Sequence, residues 1–278
     1  VCAALKFLQK AEPDELQFYE KYKPRGLVKA KTVMSPESWA KLVHPEENRY
    51  ISAIFRACWQ GVAAMKAHPH KDFGIKREDR RQLQGDQLMF SRLFLYLAQA
   101  LDVTVPEVYL VDDNKAAEIQ LANAIDRSEL CPSFVVRPHV LQGKSEREVA
   151  FLLARRLAFM RPEYYLRMLL PTNTELKVVL LSAIAMLQPR FPIPPNMATT
   201  VEQYLPQMRQ RMPPHALEQL DAVMQRFIQA TPEINLAQWA HAVDAVSHRA
   251  GFVVCGDLEI SARAVAAEPV VVDGPSMK

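Results

Sequence analysis

Residues 145–165 read SEREVAFLLARRLAFMRPEYY, and the fold is decided by what this stretch becomes. Its apolar residues recur with the period of a helix that buries one face. Ser145 followed three residues later by Glu148 is a capping-box start, in which each side chain satisfies a backbone N–H at the helix end. Pro162 closes or kinks the helix, because a ring nitrogen has no proton to donate. The segments on either side look built to pack on it.

Immediately upstream the pattern changes from helix to strand. Residues 105–111 (VPEVYLV) read as a strand ending at Asp112-Asp113-Asn114, residues 118–123 alternate weakly, and residues 131–137 (CPSFVVR) are rich in β-branched and aromatic side chains. Three short strands beside many helices predict an α+β protein, mostly helical, with a small three-stranded sheet packed on the central helix. Further back, residues 46–67 carry one apolar stripe through Ile51, Ile54, Phe55, Cys58, Trp59, Val62 and Met65, and residues 85–101 carry another. Between them the mixed charge run KDFGIKREDRR (71–81) reads as a solvated loop or helix turn. Ser35-Pro36-Glu37 is a helix start with a cap, a first-turn proline and an early acid.

Downstream, residues 174–187 are apolar nearly all round and predict a buried helix. PRFPIPP (189–195) is a stiff connection, residues 201–230 give two amphipathic helices about Pro213-Pro214, and a helix over 234–255 ends at Gly256. A last short helix covers 257–267, and a disordered tail is expected over 269–278. Residues 1–34 form a separate N-terminal helical segment and 35–268 the main domain. The chain enters helical pattern at Val1 without a Met, which reads as a piece of a longer protein.

Composition bounds the function classes. With 278 residues, 49% hydrophobic and 23% charged, the chain is an ordinary globular one able to bury a core. Eight glycines argue against a Gly-rich nucleotide loop, and a net charge of +3 is too small to imply nucleic acid or a membrane surface as partner. Cys2, Cys58, Cys131 and Cys255 show no C-x-x-C spacing, which excludes a zinc knuckle and fits a reduced, cytoplasmic setting. No apolar run reaches the ~18–20 residues that span a bilayer, and no signal peptide, P-loop or G-x-S-x-G is present.

The frame E-V-A-F-L-L-A-R-R-L-A-F-M-R beginning at Glu148 resembles the E-L-x-x-V-L-x-H-E-L-G-H-I helix of zinc metallopeptidases of the HtpX/BepA-like gluzincin family. The strand order before it, and V-D-A-V-S-H-R-A-G over 243–251, which is similar to that family's E-x-x-A-D-R-x-G, extend the resemblance over roughly residues 105–251. The resemblance implies a zincin-like helical domain. It puts Arg155 and Phe159 at the two histidine positions, Arg156 at the catalytic glutamate, Asp244 at the third zinc ligand, Ser247 and His248 at the alanine and aspartate, with Arg249 and Gly251 retained. Arginine keeps its proton and cannot ligate zinc, phenylalanine has no donor atom, and a cationic Arg156 is no base. The expectation is therefore a pseudoenzyme, with no cofactor and no metal, in which the Arg155 guanidinium takes the cation's place beside Asp244.

By the same resemblance the module binds a protein partner or peptide segment, and is tetratricopeptide-associated, following an upstream helical array. Peptide addition at a sheet edge would use Glu118 and Gln120, or Phe134 and Val136. The alternative is a metal-dependent hydrolase: His241, Asp244 and His248 at i, i+3 and i+7 share a helix face, with His139 as a ligand from a second element.

Overall fold

The computed structural model describes residues 1–113, 119–230 and 233–267. Among them the chain order is α1 (Cys2–Phe7), α2 (Pro13–Tyr22), α3 (Pro36–Ala40), α4 (Arg49–Met65), β1 (His68–Pro69), α5 (Met89–Ala100), β2 (Glu107–Leu110), β3 (Gln120–Asp126) and β4 (Glu129–Val136). It continues through α6 (Pro138–Leu141), α7 (Glu146–Ala158), α8 (Tyr165–Leu169), α9 (Asn173–Leu187), α10 (Pro195–Arg211), α11 (Pro214–Ala230), α12 (Leu236–Cys255) and α13 (Leu258–Ala266). The protein is α+β and mostly helical. The charge run after β1 forms two single 3₁₀ turns, His70–Phe73 and Arg77–Asp79, neither with a buried residue.

Local chemistry sets the helix starts. Asn48 Oδ1 accepts from the N–H groups of Tyr50 and Ile51 at α4, Thr172 from Glu175 at α9, Asn235 from Gln238 at α12 and Asp257 from Ile260 at α13. Each fills one of the donors a helix leaves open at its start, a contribution of about 1 kcal/mol. The capping box at α7 is formed as its sequence implies, with Ser145 N–H 2.8 Å from a Glu148 carboxylate oxygen. The helix itself is shorter than the 145–165 reading. It stops at Ala158, Phe159 takes the C-cap, and the turn through Pro162 leads into the separate α8.

The core is a helix stack. α7 lies against α12, α5 and α13, while α4 lies against α8, α9, α10 and α11. Trp239 of α12 meets Phe55 of α4 edge-on at 4.8 Å, joining the two halves. α9 is apolar all round because it serves two clusters: Val179, Leu180, Ala183 and Ile184 face the main core, whereas Val178, Leu181 and Ala185 pack with Met197 and Val201 of α10.

The sheet has four strands in the order β1-β3-β4-β2, one more than the three expected. β3 and β4 are an antiparallel hairpin, with Gln120 opposite Val135 and Asp126 opposite Glu129. Its two-residue turn puts Arg127 (φ 47°) and Ser128 (φ 72°) in the left-handed region. β2 runs parallel to β4 and β1 parallel to β3. One sheet face gives Val108, Phe134 and Val136 to the main core, where Phe134 meets Phe94 of α5 at 6.2 Å. The other gives Tyr109, Ala122 and Val135 to a small cluster with Ile75. A second tie joins the sheet to α8 and α4: Tyr165 donates to Asn123 Oδ1 (2.7 Å) and Asn123 Nδ2 donates to the Ala63 carbonyl (2.8 Å).

Candidate functional site

The residues that carry the resemblance meet where α7, α8 and α12 converge. α7 and α12 approach closely because Gly251 has no side chain: a Cβ there would sit 2.8 Å from the Phe151 ring and 3.1 Å from its carbonyl oxygen. Arg155 and Arg156 occupy the last turn of α7, where positive charge opposes the negative end of the helix dipole. Both are half-buried, and Phe159 just beyond them is buried within the core.

Asp244 sits on α12 with its carboxylate facing α8. Arg167 donates to it twice, Nε to Oδ1 at 3.2 Å and Nη2 to Oδ2 at 2.9 Å, and a third donation from the same guanidinium reaches the Pro171 carbonyl at 2.9 Å. From the sequence, Arg155 is the residue expected on this carboxylate; the bidentate fork on it comes from Arg167, which that reading does not single out. A fork of this kind fixes direction as well as charge. Nothing in the α7 frame points to Arg167. Its only signal in the sequence is a lone charge inside the apolar run YYLRMLLP.

His248 registers the local field. Burial, then the charge of Arg155, pull its imidazole pKa down to about 4; Asp244 pulls the other way, and Arg156 adds a smaller lowering. The ring is therefore neutral at ordinary pH and shares its surroundings with two arginines and a carboxylate. The retained Arg249 and the replaced Ser247 have local structural duties. Arg249 Nη1 donates to the Leu42 and Val43 carbonyls, both at 3.0 Å, pinning the chain just after α3. Ser247 Oγ donates to the Asp244 carbonyl at 2.6 Å.

The metal alternative is not assembled. Among the described residues no group of three His, Cys, Asp or Glu side chains could hold an ion. His241 and His139 are exposed, and the Asp244 oxygens are engaged by Arg167, so the i, i+3, i+7 spacing on α12 does not make a ligand set.

The expected peptide edge is corrected at β4. β4 is an interior strand, and Phe134 and Val136 are both fully buried in the main core. β3 meets β1 only at Ala124 and Ile125, so Gln120 lies beyond that pairing, exposed and accepting from Arg137 Nη1 at 3.0 Å. Glu118 lies outside the described residues. The alternation along β4 reflects two apolar clusters, one on each sheet face. The outer strand β2 is itself partly covered, since Arg81 N–H donates to the Val108 carbonyl at 2.8 Å and Arg80 bridges to Tyr109.

A second polar network was not legible in the sequence. Glu47 accepts from Ser52 Oγ at 2.6 Å and from Tyr164 Oη at 3.0 Å, and Trp239 Nε1 donates to Ser52 Oγ at 2.9 Å. Burial pushes the Glu47 carboxyl up from its ordinary value despite these bonds. The four residues come from the loop before α4, from α4, from the turn before α8 and from α12, so no local spacing links them.

All four cysteines are unbridged, and no helix of the described residues is long and apolar enough to cross a membrane. Comparison with protein-family models, with curated proteins and with solved structures returns no match.

Proposed function

We propose that this chain is a non-catalytic, protein-binding module whose central helices resemble those of a zinc metallopeptidase, with an ion pair where the metal chemistry would be. The observation that carries the reading is the Arg167–Asp244 fork. The carboxylate that the resemblance assigns to zinc is satisfied by a guanidinium, while Arg155 and the buried Phe159 stand at the two histidine positions. A pocket of this kind has no electrophile and no general base of the sort zinc hydrolysis requires.

The binding role is supported by the N-terminal helices. Neither α1 nor α2 contains a buried residue, and Phe7, Leu8, Phe18 and Tyr22 are all exposed there. Exposed aromatic and aliphatic side chains gathered on one small element mark interaction surfaces more often than isolated ones do. The resemblance implies a protein or peptide partner, and an upstream helical-repeat array against which this pair would pack.

The test is metal content and activity together. Protein dialysed against micromolar zinc and then desalted is expected to hold far less than one equivalent by mass spectrometry, and to leave an unfolded casein substrate intact. Stoichiometric zinc, or proteolysis abolished by a chelator, overturns the reading. A photo-crosslinking residue at Phe18 tests the binding surface, with a helical-repeat protein as the expected product.

A further inference from the structure

We propose that the groove between the start of α4 and the second half of α11 is a carboxylate-binding pocket that takes the C-terminal residue of a peptide bearing an apolar side chain. The proposal rests on reading the chain as a protein-binding module and names one ligand class for it. The groove encloses about 310 Å³ and is lined by Arg49, Tyr50, Ala53, Val223 and Arg226. That volume lies at the lower end of the range for small-ligand sites and accommodates one or two residues, not a helix.

Two arginines share this small space, and among the described residues neither is seen in an ion pair. Arg226 has Ala222, Val223, Gln229 and Ala230 at the helical neighbour positions, none of them acidic. Arg49 opens α4, whose first turn has no acid. A cation at the positive end of a helix dipole is electrostatically misplaced unless an anion joins it. The one hydrogen bond its guanidinium makes among the described residues is from Nη2 to the Tyr50 hydroxyl at 3.2 Å, and it stands 5.0 Å over that same ring. Like charges lining one partly enclosed groove raise the potential there, and low-dielectric walls concentrate it.

The floor is apolar. The Tyr50 ring, braced edge-on by Phe227 at 6.2 Å, stands beside Ala53 and Val223. A ligand that fits must bring a negative charge and an apolar body within a few ångströms of each other. The C-terminal residue of a peptide does so on one Cα, with its carboxylate toward the arginines and its side chain on the floor. An internal Asp or Glu carries its charge on one residue and leaves the apolar side chain to the next, a wider spacing than the single Cα of a chain end gives. Arginine binds a carboxylate in a two-point fork, and the stacking of Arg49 on Tyr50 keeps its plane in place for that.

Calorimetry or fluorescence anisotropy with N-acetylated tetrapeptides ending in Leu, Phe or Val is the test. The free acids are expected to bind the full chain, with affinity that weakens as salt rises. C-terminal amidation and Arg226→Ala are each expected to reduce affinity at least tenfold, and Arg226→Lys to recover only part of it. Because Arg226 is exposed on α11, an unchanged melting midpoint in Arg226→Ala separates lost binding from lost folding. Acetylated tetrapeptides with an internal Glu next to Leu and an amidated end are expected not to bind. No binding by any free acid at millimolar concentration, or equal binding by acid and amide, overturns the proposal and leaves the zinc test unaffected.

Discussion

The junction of α7, α8 and α12 and the N-terminal pair α1–α2 are held to the molecule by opposite means. At the junction Val149, Ala150, Leu153, Ala154 and Leu157 of α7 are fully buried against helices on several sides. The α1–α2 pair has no fully buried residue. It is clipped on by polar contacts: Lys6 to Glu259 at 3.1 Å, and Arg147 Nη2 to the Gly26 and Pro24 carbonyls at 2.6 and 2.8 Å. Burial contributes roughly 25 cal/mol per Å² of apolar surface, whereas exposed ion pairs contribute little after screening. One region should therefore define global stability and the other should open locally.

The largest effects are expected at the close approach of α7 and α12. Leu153→Ala removes a fully buried side chain and should cost about 2–5 kcal/mol in denaturant unfolding. Gly251→Ala pushes a methyl group against both the ring and the backbone of Phe151; the backbone cannot yield as a side-chain tip can, so a loss of about 1–3 kcal/mol is expected. A Gly251→Ala variant as stable as the parent would mean that the two helices are not packed as tightly as described.

Next comes the ion pair. Arg167→Met keeps the aliphatic stem and deletes both bonds to Asp244, leaving a partly buried carboxylate without its fork. The expected loss is about 1–3 kcal/mol. Asp244→Asn with Arg167→Met should recover part of it, since the double variant strands no charge, and a double-mutant cycle reads that coupling directly. Additive losses would show that the fork contributes no more than two independent side chains.

A pH dependence sharpens the same contrast. The His248 pKa falls from its ordinary value of about 6.5 to about 4 in the fold. Its stabilising effect is thus complete above the unfolded value and is lost as pH drops from about 6.5 toward 4. The slope from one proton cannot exceed about 1.4 kcal/mol per pH unit, and partial solvent access makes it shallower. Glu47, shifted upward, contributes in the opposite sense, its stabilisation fading as pH rises above its ordinary value. His248→Gln should flatten the decline below neutrality without moving the N-terminal helices. An unchanged slope in that variant would assign the acid sensitivity to other groups.

Much of the helical frame was legible because it is local. Ser145 with Glu148, Pro36, the apolar stripe of 46–67 and Gly256 each act within a turn of their own position. What escaped was set by distance in sequence. Arg167 finds Asp244, and Trp239 finds Ser52, only because tertiary packing brings separate helices together. The sheet was mistaken for the same reason: β1 is two residues long and pairs parallel to β3 across a wide stretch of chain, so no run of alternating residues announces it. β2 on the far side of β4 makes Phe134 and Val136 interior, whereas β1 meets β3 only at Ala124 and Ile125. The pocket beside Arg49 is likewise invisible until α11 is laid against α4.

The smallest global effect should come from Arg147→Ala, and it is the most telling for the comparison. Arg147 is on α7, beside Asp257 at 3.1 Å, yet its other bonds go to the carbonyls that follow α2. Removing it cuts a link between the two regions while leaving the apolar surface of each untouched. The melting midpoint should move by only a few degrees. Hydrogen exchange, in contrast, should accelerate through residues 1–26 while amides of α7 and α12 keep their protection, because the affected helices have no buried residues to hold them once the clip is gone. If protection falls equally in α1, α2, α7 and α12, the N-terminal pair belongs to the same cooperative unit as the junction, and its exposed Phe18 and Tyr22 would then be ordered by the core instead of standing ready for a partner.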